Sequence, residues 1–367
     1  MNIGITGADG LLGFHLRARL HAHGWRGVRL ATRQTFASPA SLDEFVAGLD
    51  GVVHMAGMNR GDEAEVEATN IRLAADLVAA LERTGSAPAL VFANSIHVER
   101  DTGYGRGKRA AAALLRKWAT ASGATLADLV LPHVFGEFGK PFYNSVVSTF
   151  CHQLATGAHP EVHVDGQLEL LHAQDVAQRC LEALRDREDA TTRMIGAPMA
   201  VSELLVRLRD QHERYAGHVV PDLCDRLDLQ FFNTLRSYLY PHHYPVSLEL
   251  RRDARGGLFE AVKTLQGGQV FFSSTHPGVT RGNHYHLRKV ERFLVVGGEA
   301  EIRLRKLFSP QVESFRVTGA APCYIDMPTF HTHSITNVGS VELTTLFWSN
   351  EIFDPADPDT YAENVTT

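Results

Sequence analysis

Three glycines spaced three apart, Gly7, Gly10 and Gly13, follow the short apolar run Met-Asn-Ile-Gly-Ile-Thr and precede Phe14-His-Leu. No other feature restricts the fold as much. A strand that turns sharply on glycines into a helix brings backbone N–H groups and the positive end of the helix against an anion. The glycines serve three separate needs, which are a tight turn, close approach of the backbone to a pyrophosphate, and close packing of helix on strand. Gly7, Asp9, Gly10, Leu11, Leu12 and Gly13 are therefore candidate dinucleotide-binding residues.

The second strand, Gly27 to Arg33, ends where the cofactor class is chosen. A carboxylate there would accept from a ribose 2'-hydroxyl, whereas a basic residue accommodates a 2'-phosphate. Thr32 and Arg33 occupy that end, so NADP(H) is the expected cofactor. The third strand, Leu49 to Gly57, finishes in the small residues Ala56 and Gly57, where backbone must pass close to the cofactor. A helix carrying Asn70 follows from about Glu63 to Arg83, and the apolar run Leu90-Val91-Phe92 then delivers Ser95. Strands alternating with helices at this rhythm predict a doubly wound parallel sheet.

Just beyond Ser95, Tyr104 and Lys108 sit four residues apart at the start of an alanine-rich helix. One helical turn puts both on the same face. An ammonium beside a phenol favours the phenolate, so Tyr104 is a candidate proton donor, with Ser95 holding the same substrate oxygen. Ser95, Tyr104 and Lys108 form the candidate catalytic set. After a further strand ending at Gly136, the segment Lys140-Pro-Phe-Tyr-Asn144-Ser145 is expected to follow the strand ends, where ligands of open α/β sheets bind. Lys140, Asn144 and Ser145 are candidate substrate contacts. Asp175 stands near the start of a later helix, where it reads as a cap.

The glycines, the Ala56-Gly57 strand end, Ser95, the Tyr104/Lys108 pair and the Val134-Phe-Gly136 turn together resemble the extended short-chain dehydrogenase/reductase family, over roughly residues 1 to 240. That resemblance implies a reductase of nucleotide sugars in which Tyr104 donates the proton, Lys108 positions the ribose and Ser95 polarises the carbonyl. Gly107 departs from the family, many members of which carry serine there.

At 367 residues the chain exceeds what one core usually serves. Tyr240-Pro-His-His-Tyr-Pro245 breaks it, and the expected domains are 1–243 and 244–367. Beyond the break the texture changes to short alternating strands, which predict an all-β barrel. His284 and His286 stand two apart, with Glu291 and His333 able to close around an ion. These two motifs match both halves of the cupin signature, with Phe330 where glycine is usual, and they make His284, His286, Glu291 and His333 a candidate metal set, best suited to zinc. Arg281-Gly-Asn-His284 also resembles the Arg-Gly-x-His motif of metal-free cupin epimerases, in which the histidine is the base and the arginine faces the substrate.

A reductase joined to a cupin, with the tail Trp348-Ser-Asn-Glu-Ile-Phe-Asp, resembles the bifunctional capsular-polysaccharide enzymes of the UDP-N-acetyl-L-fucosamine pathway. The resemblance implies a UDP-2-acetamido-2,6-dideoxy-4-keto-hexose as substrate, inversion of C3 by the cupin, reduction of C4 with NADPH by the other domain, and a homodimer through the cupin. Two alternatives stay open: a reductase of another nucleotide 4-keto sugar with the cupin as a scaffold, and a non-catalytic nucleotide sensor.

The net charge of -6 and pI near 6.3 argue against nucleic-acid or membrane-surface partners. Four scattered cysteines without a Cys-x-x-Cys pair, and a first strand that leaves no room for a signal peptide, predict a cytoplasmic protein.

Overall fold

The computed structural model describes residues 1–254 and 256–366. The chain forms two compact units: Met1–Phe135 with Gln167–Met199, and Gly136–Gly166 with Ala200–Thr367. These units do not follow the 1–243 and 244–367 blocks of the sequence, because residues 136–166 and 200–243 pack with the second unit. The reason lies in the helices, whose apolar faces commit each of them to one core.

In the first unit, strands β1 (Ile3–Thr6), β2 (Val28–Ala31) and β3 (Gly51–His54) alternate with helices α1 (Leu11–Ala22) and α2 (Pro39–Val46). Helix α3 (Glu63–Thr84), β4 (Ala89–Ser95), α4 (Gly103–Ser122), β5 (Leu126–Leu131) and β6 (His133–Phe135) continue the pattern. Helix α5 (Val146–Ala155) belongs to the second unit; β7 (Gln167–His172), α6 (Ala173–Arg185) and β8 (Ala190–Arg193) return to the first. The main sheet has the order β2-β1-β3-β4-β5-β8, with every pairing parallel. This is the doubly wound arrangement expected from the sequence.

One core lies on the α1/α6 face, built from Leu16, Leu20, Val176, Cys180 and the strand residues Ile3, Ile5 and Val91. The other lies on the α2/α3/α4 face, around Phe45, Leu77, Leu115, Trp118 and Phe92. Strands buried on both faces read as continuous apolar runs, as β1, β3 and β4 do. Their C-terminal ends carry buried polar side chains, Thr6, His54 and Ser95, and this is the edge where ligands of such sheets bind.

Helix α6 is capped by His172, which accepts from the Gln174 N–H at 3.3 Å, while Asp175 lies in the first turn instead of at the cap.

In the second unit, helices α7 (Val201–Ala216) and α8 (Arg226–Leu239) precede two five-stranded antiparallel sheets. The first runs 246–247, 323–327, 291–297, 343–349, 269–275, and the second runs 312–318, 299–306, 331–337, 280–285, 361–362. Phe293, Leu294 and Ile325 from one sheet share a core with Ile302, Leu304 and Ile335 from the other. The short strands expected from the sequence are there, but the one expected at 246–250 covers only Val246–Ser247. No helix among the described residues is long and apolar enough to cross a membrane.

Candidate functional site

The glycine turn has the geometry its spacing calls for. Gly7 has φ +71, and a Cβ there would stand 2.7 Å from the Ala56 nitrogen. A Cβ on Gly13 would run into the Gly7 carbonyl oxygen, so α1 can reach the end of β1 only with glycine at both places. Gly10 is the N-cap of α1 and supplies no side-chain cap, and Leu11 and Leu12 open the helix. Asp9 is exposed and pairs with Arg17 at 3.3 Å. Thr32 and Arg33 lie just past β2; the Thr32 N–H donates to Thr35 Oγ1 at 3.0 Å, and the Arg33 side chain is exposed.

The loop after β3 is held from two sides. Thr6 Oγ1 accepts from the N–H groups of Met55 and Ala56 at 3.2 and 3.1 Å and bonds His54 Nδ1 at 2.8 Å. Asn70 accepts from the Met58 N–H at 3.2 Å and donates to the Met58 carbonyl at 2.6 Å. A Cβ on Gly57 would meet Asn70 Oδ1 at 2.7 Å. The sequence offered Asn70 only as a helix residue; its role needs the long-range meeting of α3 with the 56–58 loop. An asparagine inside a helix, where it is a poor helix former, was the available signal.

Ser95 ends β4 and is buried, its hydroxyl accepting from the His97 N–H at 3.2 Å. Tyr104 and Lys108 occupy the first two turns of α4, with Lys108 Nζ 6.0 Å from the centre of the Tyr104 ring. Lys108 is 4% exposed, donates to the Ala93 carbonyl at 2.7 Å and stands 4.5 Å from the Phe92 ring centre. Burial lowers its ammonium to about 8, against the opposite pull of Asp128. Burial, reinforced by Lys108, holds His54 down to about 3, so this ring is neutral. Tyr104 and Lys108 thus share one face of α4, with Lys108 Nζ 3.7 Å from where a Cβ on Gly57 would stand.

Lys140, Asn144 and Ser145 lie in the second unit. Lys140 and Asn144 are exposed, Lys140 Nζ being 5.1 Å from the Tyr143 ring centre. Ser145 caps α5, accepting from the Ser148 N–H at 3.3 Å. Arg281 donates to Thr275 Oγ1 and to the Ser274 carbonyl, both at 2.9 Å, and so ties its strand to the neighbouring edge strand.

Also in the second unit, His284, His286, Glu291 and His333 offer ligand atoms that all lie within 4.8 Å of one another. Glu291 Oε2 stands 4.0, 3.0 and 3.6 Å from the Nε2 atoms of His284, His286 and His333. Bonds of ~2.1 Å around a tetrahedral ion give ligand–ligand edges of roughly 3.4 Å, close to this spread. His286 Nδ1 faces the Asp359 carbonyl at 2.5 Å and His333 Nδ1 faces the His331 carbonyl at 3.2 Å. A carbonyl can only accept, so both rings carry their proton on Nδ1 and turn an Nε2 lone pair to the centre. Despite the short separations from Glu291, His286 Nε2 and His333 Nε2 are buried without a hydrogen bond among the described residues, as expected where an unprotonated ring nitrogen meets a carboxylate oxygen and both can only accept. Orphaned, converging lone pairs fit a cation.

The electrostatics agree. Burial pushes the Glu291 carboxyl up, but His286, with His284 and His333 close by, outweighs it and holds the group well below the usual range. Burial lowers His333 to about 4; at His286 burial opposes the charged form and Glu291 reverses it, raising the pKa. His284 and His286 are not a simple same-face pair on one strand. The strand stops at Tyr285, Asn283 has φ 59 in a bulge, and His286 lies past the strand end. Phe330, where glycine was expected, has φ 61, the left-handed conformation that glycine adopts at no cost.

Residues 3–196 match the model of the NAD dependent epimerase/dehydratase family, more than half of the chain. The chain belongs to that family. Residues 251–361 match the polysaccharide biosynthesis C-terminal domain. Over 100% of its length the chain is 31% identical to UDP-2-acetamido-2,6-beta-L-arabino-hexul-4-ose reductase of Pseudomonas aeruginosa, covering 99% of that relative. It is similar to the crystal structure of the capsular polysaccharide assembling protein CapF from Staphylococcus aureus, with TM-score 0.66, 31% identity, 99% of this chain and 100% of that one. A more distant likeness, to RMD from Pseudomonas aeruginosa complexed with NADPH, is one of fold alone, at TM-score 0.56 and 19% identity, over 65% of this chain and 97% of that one. As in the family at large, the cofactor is a nicotinamide dinucleotide.

Proposed function

We propose that this chain is a bifunctional nucleotide-sugar enzyme which inverts C3 of a UDP-2-acetamido-2,6-dideoxy-4-keto-hexose and reduces its C4 ketone with NADPH, toward a capsular polysaccharide. The reading is carried by one observation: a tyrosine–lysine pair on α4, in the unit that holds the glycine turn, and a separate three-histidine, one-glutamate cluster in an antiparallel β-unit occur in the same chain. Full-length similarity to a 4-keto-sugar reductase supports it.

The reduced nicotinamide, when bound along Gly7, Asp9, Gly10, Leu11, Leu12 and Gly13, supplies the hydride for C4. Tyr104 hands its phenolic proton to the C4 oxygen and Ser95 donates a hydrogen bond to the same atom. Lys108 keeps a positive charge beside the phenol as that proton leaves. Arg33, with no carboxylate near it at the end of β2, favours a 2'-phosphate and therefore NADPH. Ala56 and Gly57 leave room for the cofactor, and Lys140, Asn144, Ser145 and Arg281 are the substrate-facing candidates. The β-unit is a cupin in this reading. His284, His286, Glu291 and His333 would hold zinc, which would organise the barrel and supply a Lewis acid to the sugar; the C3 base is a different residue, because ligation would occupy the His284 lone pair. A C3 proton is acidic only while the neighbouring ketone exists, so epimerisation comes first. Val270 and Phe272, 62% and 70% exposed on the edge strand 269–275, support a homodimer through this unit. The enzyme works in the cytoplasm, where its activated sugar and NADPH are made.

The test uses the wild type and Tyr104→Phe with the UDP-4-keto sugar in deuterated water, with NADPH or NADH, followed by NMR. Tyr104→Phe is expected to lose reduction by ~10²–10⁴ and to keep deuterium uptake at C3. Joint loss of both activities, or no reduction by the wild type, would sink the proposal.

A further inference from the structure

The histidine that stands closest to Glu291 is the one no strand holds. His286 follows the end of the 280–285 strand, so the pleat does not fix its direction, and something else must. That something is the C-terminal segment. The Asp359 carbonyl accepts from His286 Nδ1 at 2.5 Å, and the Asp359 carboxylate accepts from three consecutive N–H groups of the turn that follows: Leu287 at 3.1 Å, Arg288 at 2.9 Å and Lys289 at 2.8 Å. Three successive N–H donors around one carboxylate form a preorganised anion nest, here filled by the chain itself. Asp359 is 2% exposed and has φ 42, a left-handed conformation that a residue other than glycine holds only when its surroundings impose it.

Flanking contacts seat the same segment. Lys289 Nζ donates to the Pro358 carbonyl at 2.7 Å, and Arg288 pairs with Glu351 at 3.1 Å and Asp357 at 3.0 Å. Asn350 Oδ1 accepts from the Val290 N–H at 2.8 Å. On the other side of the histidines, the N–H groups of Glu363 and Val365 donate to the Asn283 carbonyl and to Asn283 Oδ1 at 2.9 and 3.2 Å. Residues 350–365 therefore grip the 283–290 loop at both ends.

We propose that Asp359 is the positioning residue of the metal centre: its side chain locks the 287–289 turn, and with it the backbone carbonyl that fixes His286 as the Nδ1–H form with Nε2 turned to Glu291. This rests on the reading of the His284, His286, Glu291 and His333 cluster as a metal site. Asp359 touches no metal itself. It acts through His286, as the partners behind metal-binding histidines do.

Asp359→Asn keeps the shape but places an amide N–H₂ against at least one N–H donor of the turn. Zinc titrated into metal-free wild type and Asp359→Asn, against a competing chromophoric chelator, is expected to bind the variant about ten- to a hundred-fold more weakly. The effect runs through His286, so Asp359→Asn added to His286→Ala should weaken zinc no further. Long-range ¹H–¹⁵N spectra of the metal-free protein, recorded at a pH where the His286 ring is neutral, supply a readout that loss of general stability does not move: His286 is a single Nδ1–H tautomer in the wild type and a mixture in the variant. Asp359→Ser, too short to reach the turn but placing no amide N–H₂ against it, should weaken zinc comparably and serves if the asparagine variant does not fold. Equal zinc affinity in wild type and variant overturns the positioning role alone. A wild type that takes up no zinc overturns the metal reading instead, and the tautomer spectra then decide whether Asp359 sets His286, a mixed wild-type tautomer counting against it.

Discussion

Lys108 carries its ammonium into a space lined by Phe92, Gly57 and the Ala93 carbonyl, and the cost of that burial is visible in its titration. Below about 8 the lysine is protonated in both folded and unfolded chains, so the penalty is fully present. Between about 8 and the ordinary 10.5 the unfolded chain binds a proton that the folded chain does not, and stability rises with pH. Lys108→Met removes the term, so the ligand-free wild type should be less stable than the variant at pH 7, by a margin that narrows toward pH 10. Urea denaturation at the two pH values measures it, and a margin that does not change with pH would contradict the burial argument. The spacing of Tyr104 and Lys108 was plain in the sequence. The depth of the lysine was not, because it depends on Phe92 in the middle of β4 and on Gly57 in the loop after β3.

At the level of elements, the approach of α3 to α4 decides where the Tyr104 turn stands. Helix α4 begins Gly103-Tyr-Gly105-Arg-Gly107, and its glycines face backbone. A Cβ on Gly103 would run into the Glu63 carbonyl, one on Gly105 into the carbonyls of His97 and Arg100, and one on Gly107 would stand 3.1 Å from the Glu67 Cα. The departure at Gly107 thus belongs with a close helix–helix contact. Ordinarily alanine in place of a helical glycine stabilises by roughly 0.5–1 kcal/mol. Here the sign should reverse: Gly103→Ala is expected to cost about 1–3 kcal/mol by overpacking and to lower Tm, measured by thermal denaturation. A rise in Tm would mean that the backbone can open at no cost. Neither periodicity nor composition marks this contact, since glycines at the start of a helix read as poor helix formers until the partner helix is known.

For the molecule as a whole, the second unit is where a bound metal would add to stability. Four ligands drawn from the 280–285 strand, the loop after it and the strands 291–297 and 331–337 would be joined by one ion, which binds only the folded state and so adds to stability by mass action. Stripping metal with a chelator should lower the Tm of the second unit, and His286→Ala should lower it comparably with no further fall on chelation. Metal analysis finding under a tenth of an equivalent, with unchanged Tm and epimerase activity after chelation, would return His284 to the role of base.

What the sequence determined by itself is what local pattern encodes. The glycine spacing after β1, the alternation of strand and helix, and the burst of short strands after Pro245 each follow from the conformational preferences of neighbouring residues, and the two fold classes follow from them. The candidate ligands could be named as well, since the chemistry of histidine and glutamate does not depend on place. Tertiary structure alone decided the rest. It assigned residues 136–166 and 200–243 to the second unit, turned Asn70 toward the 56–58 loop, drove Lys108 into the interior, and set His286 by a carbonyl 73 residues away. Those are contacts between distant segments, and their free energy comes from surfaces that only meet when the chain has folded.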